Sequence, residues 1–308
     1  MNNNQFAHLH LHTEYSLLDG ATKVSELAKK LSSIGQTAVA VTEHGNMYSL
    51  VRANVECKKV GIKHIIGCEF YVAPTSRFDK VAEKGKARYN HLIVLAKDLI
   101  GYKQLIRMCS LGYLEGFYYR PRIDEELLFS MEPGHLIVTT ACIGSSFAQE
   151  IANECFNEAE ASITKYAMHF GKDFYLEVQN HGIELETIVT NQYITISDKL
   201  GIPIIATQDS HYLNKEDCIA HDVALCIGTG QNFVDARKFK FEGTNYHVMT
   251  VEEMLPLYRE EWLTNTMDIV NKCDDGILEY GNIRLPKFVP PEPGTDPDYD
   301  AWLIRNTL

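Results

Sequence analysis

The feature that most constrains this chain is a repeated alternation of short apolar runs with amphipathic stretches. Runs of β character recur at Phe6–Leu11, Thr37–Thr42, Ile65–Val72, His91–Ala96, Leu136–Thr140, Phe174–Val178 and Ile202–Ala206. Most are continuously apolar, as expected of parallel strands covered on both faces. Helical patterns lie between them. Val24, Leu27, Ala28 and Leu31 share one helical face; Leu185, Ile188, Val189, Ile196 and Leu200 share another, and Gly35 and Gly201 follow as stop signals. Strand–helix alternation of this kind leaves two architectures, an α/β barrel or a doubly wound sheet.

Where the metal-ligand residue types fall separates the two. Asp19 and His44 follow the first two runs, Glu69 lies inside the third, Cys142 follows the fifth, and Asp209 and His211 follow the seventh. A barrel gathers the loops after all its strands at one mouth, whereas an open sheet spreads them along an edge. One site fed by most strands therefore predicts a barrel. His91 breaks the rule, because it stands at the start of its run. Either the boundary lies elsewhere or that strand enters the sheet differently.

The densest motif is His8-Leu-His-Leu-His12. A strand points alternate side chains to one face, so His8, His10 and His12 are expected on one side, with a spacing that suits an ion. A solvated edge strand is the bland alternative, and the later motifs outweigh it. In Thr42–Met47 a glycine allows a tight loop that turns His44 into the mouth. Glu69 sits within an apolar strand, where an inward carboxylate without a partner is costly, which favours a ligand role. Cys68 alternates to the other face as packing. Cys142 reads equally as a ligand or as a small core residue. Asp209 and His211 form a DxH pair that mirrors the opening HxH, and in a closed barrel the first and last strands are neighbours. His64, His135, His169, His221 and His247 have no such setting. Glu177, Gln179 and His181 alternate along and after the sixth run, and read as support or surface more than as ligands. Phe117–Arg122 mixes aromatic and cationic groups that could meet phosphate and a base, although a solvated loop is the simpler reading. There is no phosphate-cradling glycine motif and no nucleophile elbow.

The formal net charge of −12 argues against a broad grip on duplex DNA, which requires many phosphate-neutralising cations. Local basic patches remain at 77–86 and 120–122. No apolar run is long enough to span a membrane, and the N-terminus has no secretory pattern, so a cytoplasmic chain is expected, with its eight cysteines reduced. Three regions are expected: a metal-dependent barrel over 1–213, a helical and loop extension over 214–284, and a Pro-rich linker over 285–308 that ends as another element begins. That ending suggests a piece of a longer protein.

The segments HLHLHTEYSLLDG, VTEHGNM, IIGCEFYV, YNHLIVLAKD, TACIGS, FYLEVQNHG and ATQDSHYL resemble the polymerase and histidinol phosphatase (PHP) family, most closely the N-terminal PHP regions of bacterial replicative DNA polymerase alpha subunits. The resemblance covers almost the whole chain. It implies a distorted (β/α)7 TIM-like barrel holding up to three divalent ions (Zn, Mn, Fe or Mg), with an extension leading toward a polymerase palm. By position, His10, His12, Glu69 and Asp209 match the ligands of one ion; Glu69, His91 and Cys142 those of a second; Asp19, His44 and His211 those of a third. Glu43 stands where the family commonly has Asp. The implied activity is a metal-dependent 3′–5′ exonuclease or phosphoesterase contributing to proofreading, catalysis acting through the nine ligands. The implied partners are a single-stranded or frayed DNA 3′ end, the rest of the polymerase subunit and other replisome subunits, with no membrane. A metal-stiffened scaffold for a proofreading subunit and a free-standing phosphatase on a small monoester are the alternatives.

Overall fold

The computed structural model describes residues 2, 5–17, 19–81, 87–235 and 240–281. Its sheet contains β1 (Ala38–Val41), β2 (Lys63–Val72), β3 (Asn90–Ala96), β4 (Arg122–Ile123), β5 (Leu136–Thr139), β6 (Phe174–Val178) and β7 (Ile204–Ala206). The order is β1-β2-β3-β5-β6-β7, with the short β4 pairing beside β2. Pairing is parallel except around β3, which runs antiparallel to both β2 and β5. The reversed strand answers the question His91 raised. The start of β3 lies at the end of the barrel where the other strands finish, so His91 reaches the same mouth from the opposite direction.

The first expected run, Phe6–Leu11, is not a continuous strand. It makes isolated bridges, His8 to Val39 and Leu11 to Ser210, and so joins β1 to the segment after β7. Ala40 N donates to His8 O at 2.8 Å, and His12 N donates to Ser210 O at 2.8 Å. These bonds close the curled sheet into a distorted barrel, which brings the HxH and DxH motifs side by side as expected.

A bend at His10 interrupts this segment, with a consequence for His8. Ala7 and Leu9 belong to the inner core with Ala40, Ile65, Ile93 and Ile205. Leu11 instead belongs to the outer layer, with Val39, Val41 and the residues of helix α1 (Val24–Ser33). The alternation thus changes phase at the bend. His10 and His12 face the mouth, but His8 lies on the other side, 2.9 Å from the Met249 carbonyl. The expectation that all three imidazoles converge is corrected on that ground: strict alternation holds only while the strand is regular.

The remaining helices are α2 (Leu50–Lys59), α3 (Leu99–Leu114), α4 (Glu125–Phe129), α5 (Ser146–Ala152), α6 (Phe156–Phe170), α7 (Glu184–Leu200), α8 (Cys218–Thr229), α9 (Val251–Met254) and α10 (Glu260–Lys272). In α1 the buried residues are those the pattern predicts, Val24, Leu27, Ala28 and Leu31. In α7 the buried face is Glu186, Val189, Tyr193 and Ile196, while Ile188 and Leu200 are exposed. The apolar pattern placed that face slightly out of phase because a buried Glu and Tyr carry part of it. Gly35 and Gly201 do adopt positive φ at the helix ends.

Helix α10 plugs the base of the barrel. Ile269, Val270 and Cys273 join the inner core, and Ala7 N donates to Thr266 Oγ1 at 3.0 Å. Lys63 at the start of β2 donates to Val270 O at 2.8 Å, and Asn265 donates to Ile204 O at 2.8 Å. One compact unit accordingly runs to Ile277. The expected linker at 285–308 and the lysines at 84 and 86 lie outside the described residues. No described helix is long and apolar enough to cross a membrane.

Candidate metal centre

Glu69 is the hub of the mouth. It is buried in β2, where His44 Nδ1 is hydrogen-bonded to its Oε2 and His91 Nδ1 lies 2.8 Å from its Oε1. His10 Nε2 and His12 Nε2 approach it at 3.6 and 3.4 Å, and Cys142 Sγ lies 3.8 Å from Oε1. Asp209 reaches over from the segment after β7, its Oδ1 at 3.1 Å from His10 Nε2 and 3.2 Å from His12 Nε2. On the outer side Asp19 sits 3.1 Å from His44 Nε2 and 4.0 Å from His211 Nε2. All nine candidate side chains are therefore brought together. Within them, His10, His12 and Glu69 form one group with metal-binding spacing, Glu69, His91 and Cys142 a second, and His12, His44 and His211 a third. The third differs from the expected trio in that His12 completes it, with Asp19 alongside.

The surroundings of these donors fit divalent cations. His10 Nε2, His12 Nε2, His211 Nε2, Asp19 Oδ1 and Asp209 Oδ1 are all buried atoms without a hydrogen-bond partner. Leaving one such atom unmade costs about 1–3 kcal/mol, so five converging on one place mark a site for something that binds lone pairs. Near the second group Gly144 keeps space open: a Cβ there would lie 3.1 Å from His91 Nδ1 and 3.4 Å from Cys142 Sγ. Gly144 N also donates to Cys142 Sγ at 3.4 Å, a contact that favours thiolate. Nitrogen and sulfur donors suit zinc-like ions, and the carboxylates admit manganese, iron or magnesium.

Charge balance within the cluster follows from burial and packing. Burial would raise the Glu69 carboxyl, but His91 and His44 outweigh it and hold it well below the usual carboxylate range. Asp19 and Asp209 are likewise lowered against burial, Asp19 chiefly by His44 and Asp209 by His10 and His211. Burial and the neighbouring imidazoles of His44 and His211 push His12 down to about 3, which keeps it a neutral donor. For His10 burial is overcome by Asp209 and Glu177, and for His44 by Asp19 and Glu69, so both are raised. Burial, then Glu69 and Asp209, pushes the Cys142 thiol up. A cation would relieve that last penalty by coordinating the thiolate.

The ligands are oriented from behind. Glu177 Oε1 accepts from His10 Nδ1 at 2.7 Å, leaving Nε2 to face the mouth. Thr207 Oγ1 and Gln179 Nε2 donate to the same oxygen at 2.5 and 3.2 Å, and Thr139 Oγ1 donates to Oε2. His12 Nδ1 pairs with Ser16 Oγ at 2.9 Å, and Ser16 Oγ donates to Glu43 Oε2 at 2.5 Å. His211 Nδ1 donates to the Asp209 carbonyl at 2.7 Å. Such partners fix tautomer and ring orientation. Asp209 and Ala141 hold positive φ, of 45° and 55°, so local backbone strain accompanies two of the ligand loops.

The alternation along β6 marks Glu177 as a support or surface residue but does not identify its partner, His10. The signal was available: an acid within the apolar Phe174–Val178 run is the same anomaly that singled out Glu69. The mouth opens into a cavity of about 790 Å3, whose lining includes Tyr71, Tyr89, Arg120, Gln179, His181 and Tyr246. No pattern in the sequence marked the three tyrosines. His181 is buried rather than at the surface, held by Glu186 Oε1 at 2.5 Å and the Gln208 carbonyl at 3.0 Å.

Comparison with known proteins adds three findings. Residues 8–181 match the model of the PHP domain. The DNA polymerase III subunit alpha of Borreliella burgdorferi is 43% identical over 308 residues, covering 99% of this chain and 27% of that protein. The subunit of the same name from Treponema pallidum is 40% identical over 307 residues, covering 98% and 26%. The chain thus spans about a quarter of the length of the curated relatives it matches. Among solved structures, a putative metal-dependent phosphoesterase from Bifidobacterium adolescentis aligns with a TM-score of 0.46 and 11% identity, over 88% of this chain and 97% of that one.

Proposed function

The chain belongs to the PHP domain family, and from that premise we propose that its mouth is a metal-dependent phosphodiesterase acting as a 3′–5′ exonuclease within a bacterial replicative DNA polymerase III alpha subunit, where it contributes to proofreading. The observation that carries this reading is the sharing of Glu69 by two of three contiguous ligand groups. His10, His12, Glu69 and Asp209 would hold one ion, Glu69, His91 and Cys142 a second, and Asp19, His44 and His211 a third. Bound divalent ions supply two things here: a water of lowered pKa and compensation for charge developing on phosphate oxygens.

The chain's own residues do the rest. Glu177 and the Ser16–Glu43 pair fix the faces that His10 and His12 present. Asp19 and His91, among the more exposed members of the cluster, stand where a substrate phosphate enters. Gln179 lines the cavity and offers a polar contact to the substrate. The substrate is a single-stranded or frayed DNA 3′ end, since the formal net charge of −12 disfavours a broad duplex grip. The working division of the chain is a barrel over 1–213, an extension over 214–284 that completes it, and a linker over 285–308 toward the remainder of a cytoplasmic polymerase subunit and its replisome partners.

The test is a 5′-labelled single-stranded oligonucleotide incubated with manganese or zinc and either wild type or Asp19→Ala. Wild type is expected to shorten the 3′ end, and the variant to do so about 100-fold more slowly with unchanged circular dichroism. Equal shortening by both proteins refutes the catalytic assignment. Cleavage of a small phosphate monoester without any action on the oligonucleotide refutes the nuclease.

A further inference from the structure

The segment Phe117–Arg122 contains two arginines with opposite fates. Arg122 is buried and its guanidinium donates to backbone carbonyls, to Gly116 at 3.1 Å, Arg88 at 3.2 Å and Asp79 at 2.6 Å. It ties the loop to the segment leading into β3. Arg120 lines the large cavity, and its Nε is buried with no hydrogen-bond partner. Among the described residues no carboxylate pairs with it, although the chain as a whole is strongly acidic. Its Nη1 makes only a long 3.5 Å bond to the neighbouring Tyr119 carbonyl, and a guanidinium so weakly engaged, lining a cavity beside a phosphoesterase-type centre, is matched to an oxyanion.

Aromatic rings continue the same surface. Tyr89 and His91 are nearly coplanar in orientation, with an interplanar angle of 2° and centroids 6.1 Å apart, and Tyr71 meets Tyr89 edge-on at 4.8 Å. Farther out, Tyr119 is 57% exposed and holds a positive φ of 62°, while Arg88 stacks over its ring at 4.3 Å. The turn is kept tight by Tyr118 N donating to Arg120 O at 3.0 Å. It is also pressed against the His44 loop: a Cβ on Gly45 would lie 2.9 Å from Pro121 Cγ and 2.9 Å from Tyr71 Cδ2. The ring-and-cation surface is therefore continuous with the ligand cluster.

We propose that Tyr89, Arg120 and Tyr119 form a strand-binding ramp, on which Arg120 holds an internal phosphate of a single-stranded nucleic acid and the tyrosines stack its bases. This rests on the nuclease reading above and gives it a specificity element. A small monoester has no second phosphate for Arg120 and no further base for Tyr89 and Tyr119, so the ramp favours a strand. Stacking is tolerant of sequence, so no base preference is expected from it.

The test uses the 308-residue chain and a short oligodeoxythymidylate carrying 2-aminopurine near its 3′ end. In EDTA, Arg120→Gln is expected to weaken binding about tenfold by fluorescence anisotropy, with Arg120→Lys recovering part of the loss. The slope of log affinity against log salt should fall by about 0.7 in Arg120→Gln, the signature of one lost phosphate contact. With metal, KM for the oligonucleotide should rise about tenfold in the same variant while kcat changes much less. Tyr89→Leu gives an independent reading, loss of the 2-aminopurine quenching seen with wild type. Unchanged affinity, salt slope and quenching in these variants, with wild-type nuclease activity intact, would overturn the ramp and leave the nuclease standing. Failure of wild type itself to bind or cut the oligonucleotide, while it cleaves a monoester, would remove both.

Discussion

Replacing Glu177 by Gln removes one charge and leaves the shape of the side chain almost unaltered, so it isolates what the carboxylate does for His10. In the native site the carboxylate accepts from His10 Nδ1 at 2.7 Å, from Thr207 and Gln179 on the same oxygen, and from Thr139 on the other. An amide nitrogen cannot accept. It must face Thr139, whose hydroxyl then has to turn, and His10 is left with a neutral acceptor. A hydrogen bond to a charged group is worth about 1.5–3 kcal/mol against about 0.5–1.5 kcal/mol for a neutral one. The difference, about 1–1.5 kcal/mol, corresponds to roughly a tenfold loss in metal affinity, at the lower end of the about 10–100-fold seen when ligand-orienting groups are removed. Competition against a chromogenic chelator measures the affinity directly. Thermal melting with and without saturating zinc measures it by linkage, and the metal-induced rise in Tm should shrink by about 2–3 °C. If metal affinity is unchanged, Glu177 does not act through His10. The same holds if the variant loses stability equally with and without metal, because the carboxylate would then serve the core and not the site.

A second expectation concerns acid. His64 is buried with neither ring nitrogen hydrogen-bonded, and burial lowers it from 6.5 to about 4. The folded chain keeps the ring neutral while the unfolded chain protonates it, so its contribution to stability is present above pH 6.5 and falls as pH drops toward 4. From pH 7 to pH 5 that loss is about 2 kcal/mol, and urea midpoints should show it in wild type but not in His64→Gln; parallel pH profiles would refute it. The base of the barrel supplies a third: Ile269 in α10 is fully buried in the inner core, so Ile269→Ala should cost about 2–5 kcal/mol in urea unfolding. A negligible loss would mean that the barrel stands without its C-terminal plug.

Much of the site was legible because the signals are local. An apolar run marks a strand, and a polar ligand type at its end is anomalous whatever surrounds it, so Glu69, His44, Asp209 and His211 could be found one at a time. The resemblance to PHP proteins then gathered them into one centre, and the structure does bring all nine together. Other features had no local signature. His8 and His10 are indistinguishable by spacing, and a bend at His10 separates them. Arg120 and Arg122 share one short motif, yet the carbonyls of Gly116, Arg88 and Asp79 engage the Arg122 guanidinium, whereas Arg120 makes one long bond to its neighbour Tyr119 and lines the cavity.

The amino-acid order by itself determined that the chain alternates strands and helices, which side of α1 is buried, and which residue types could ligate an ion. Tertiary structure decided the reversal of β3 that delivers His91, the closure of the ring through His8–Val39 and Leu11–Ser210, and the pairing of His10 with Glu177 across 167 positions of sequence. The physical reason is range. Propensity and periodicity act over a few residues, whereas strand direction, ring closure and the tautomer of a buried imidazole are set by partners that only folding brings within 3 Å.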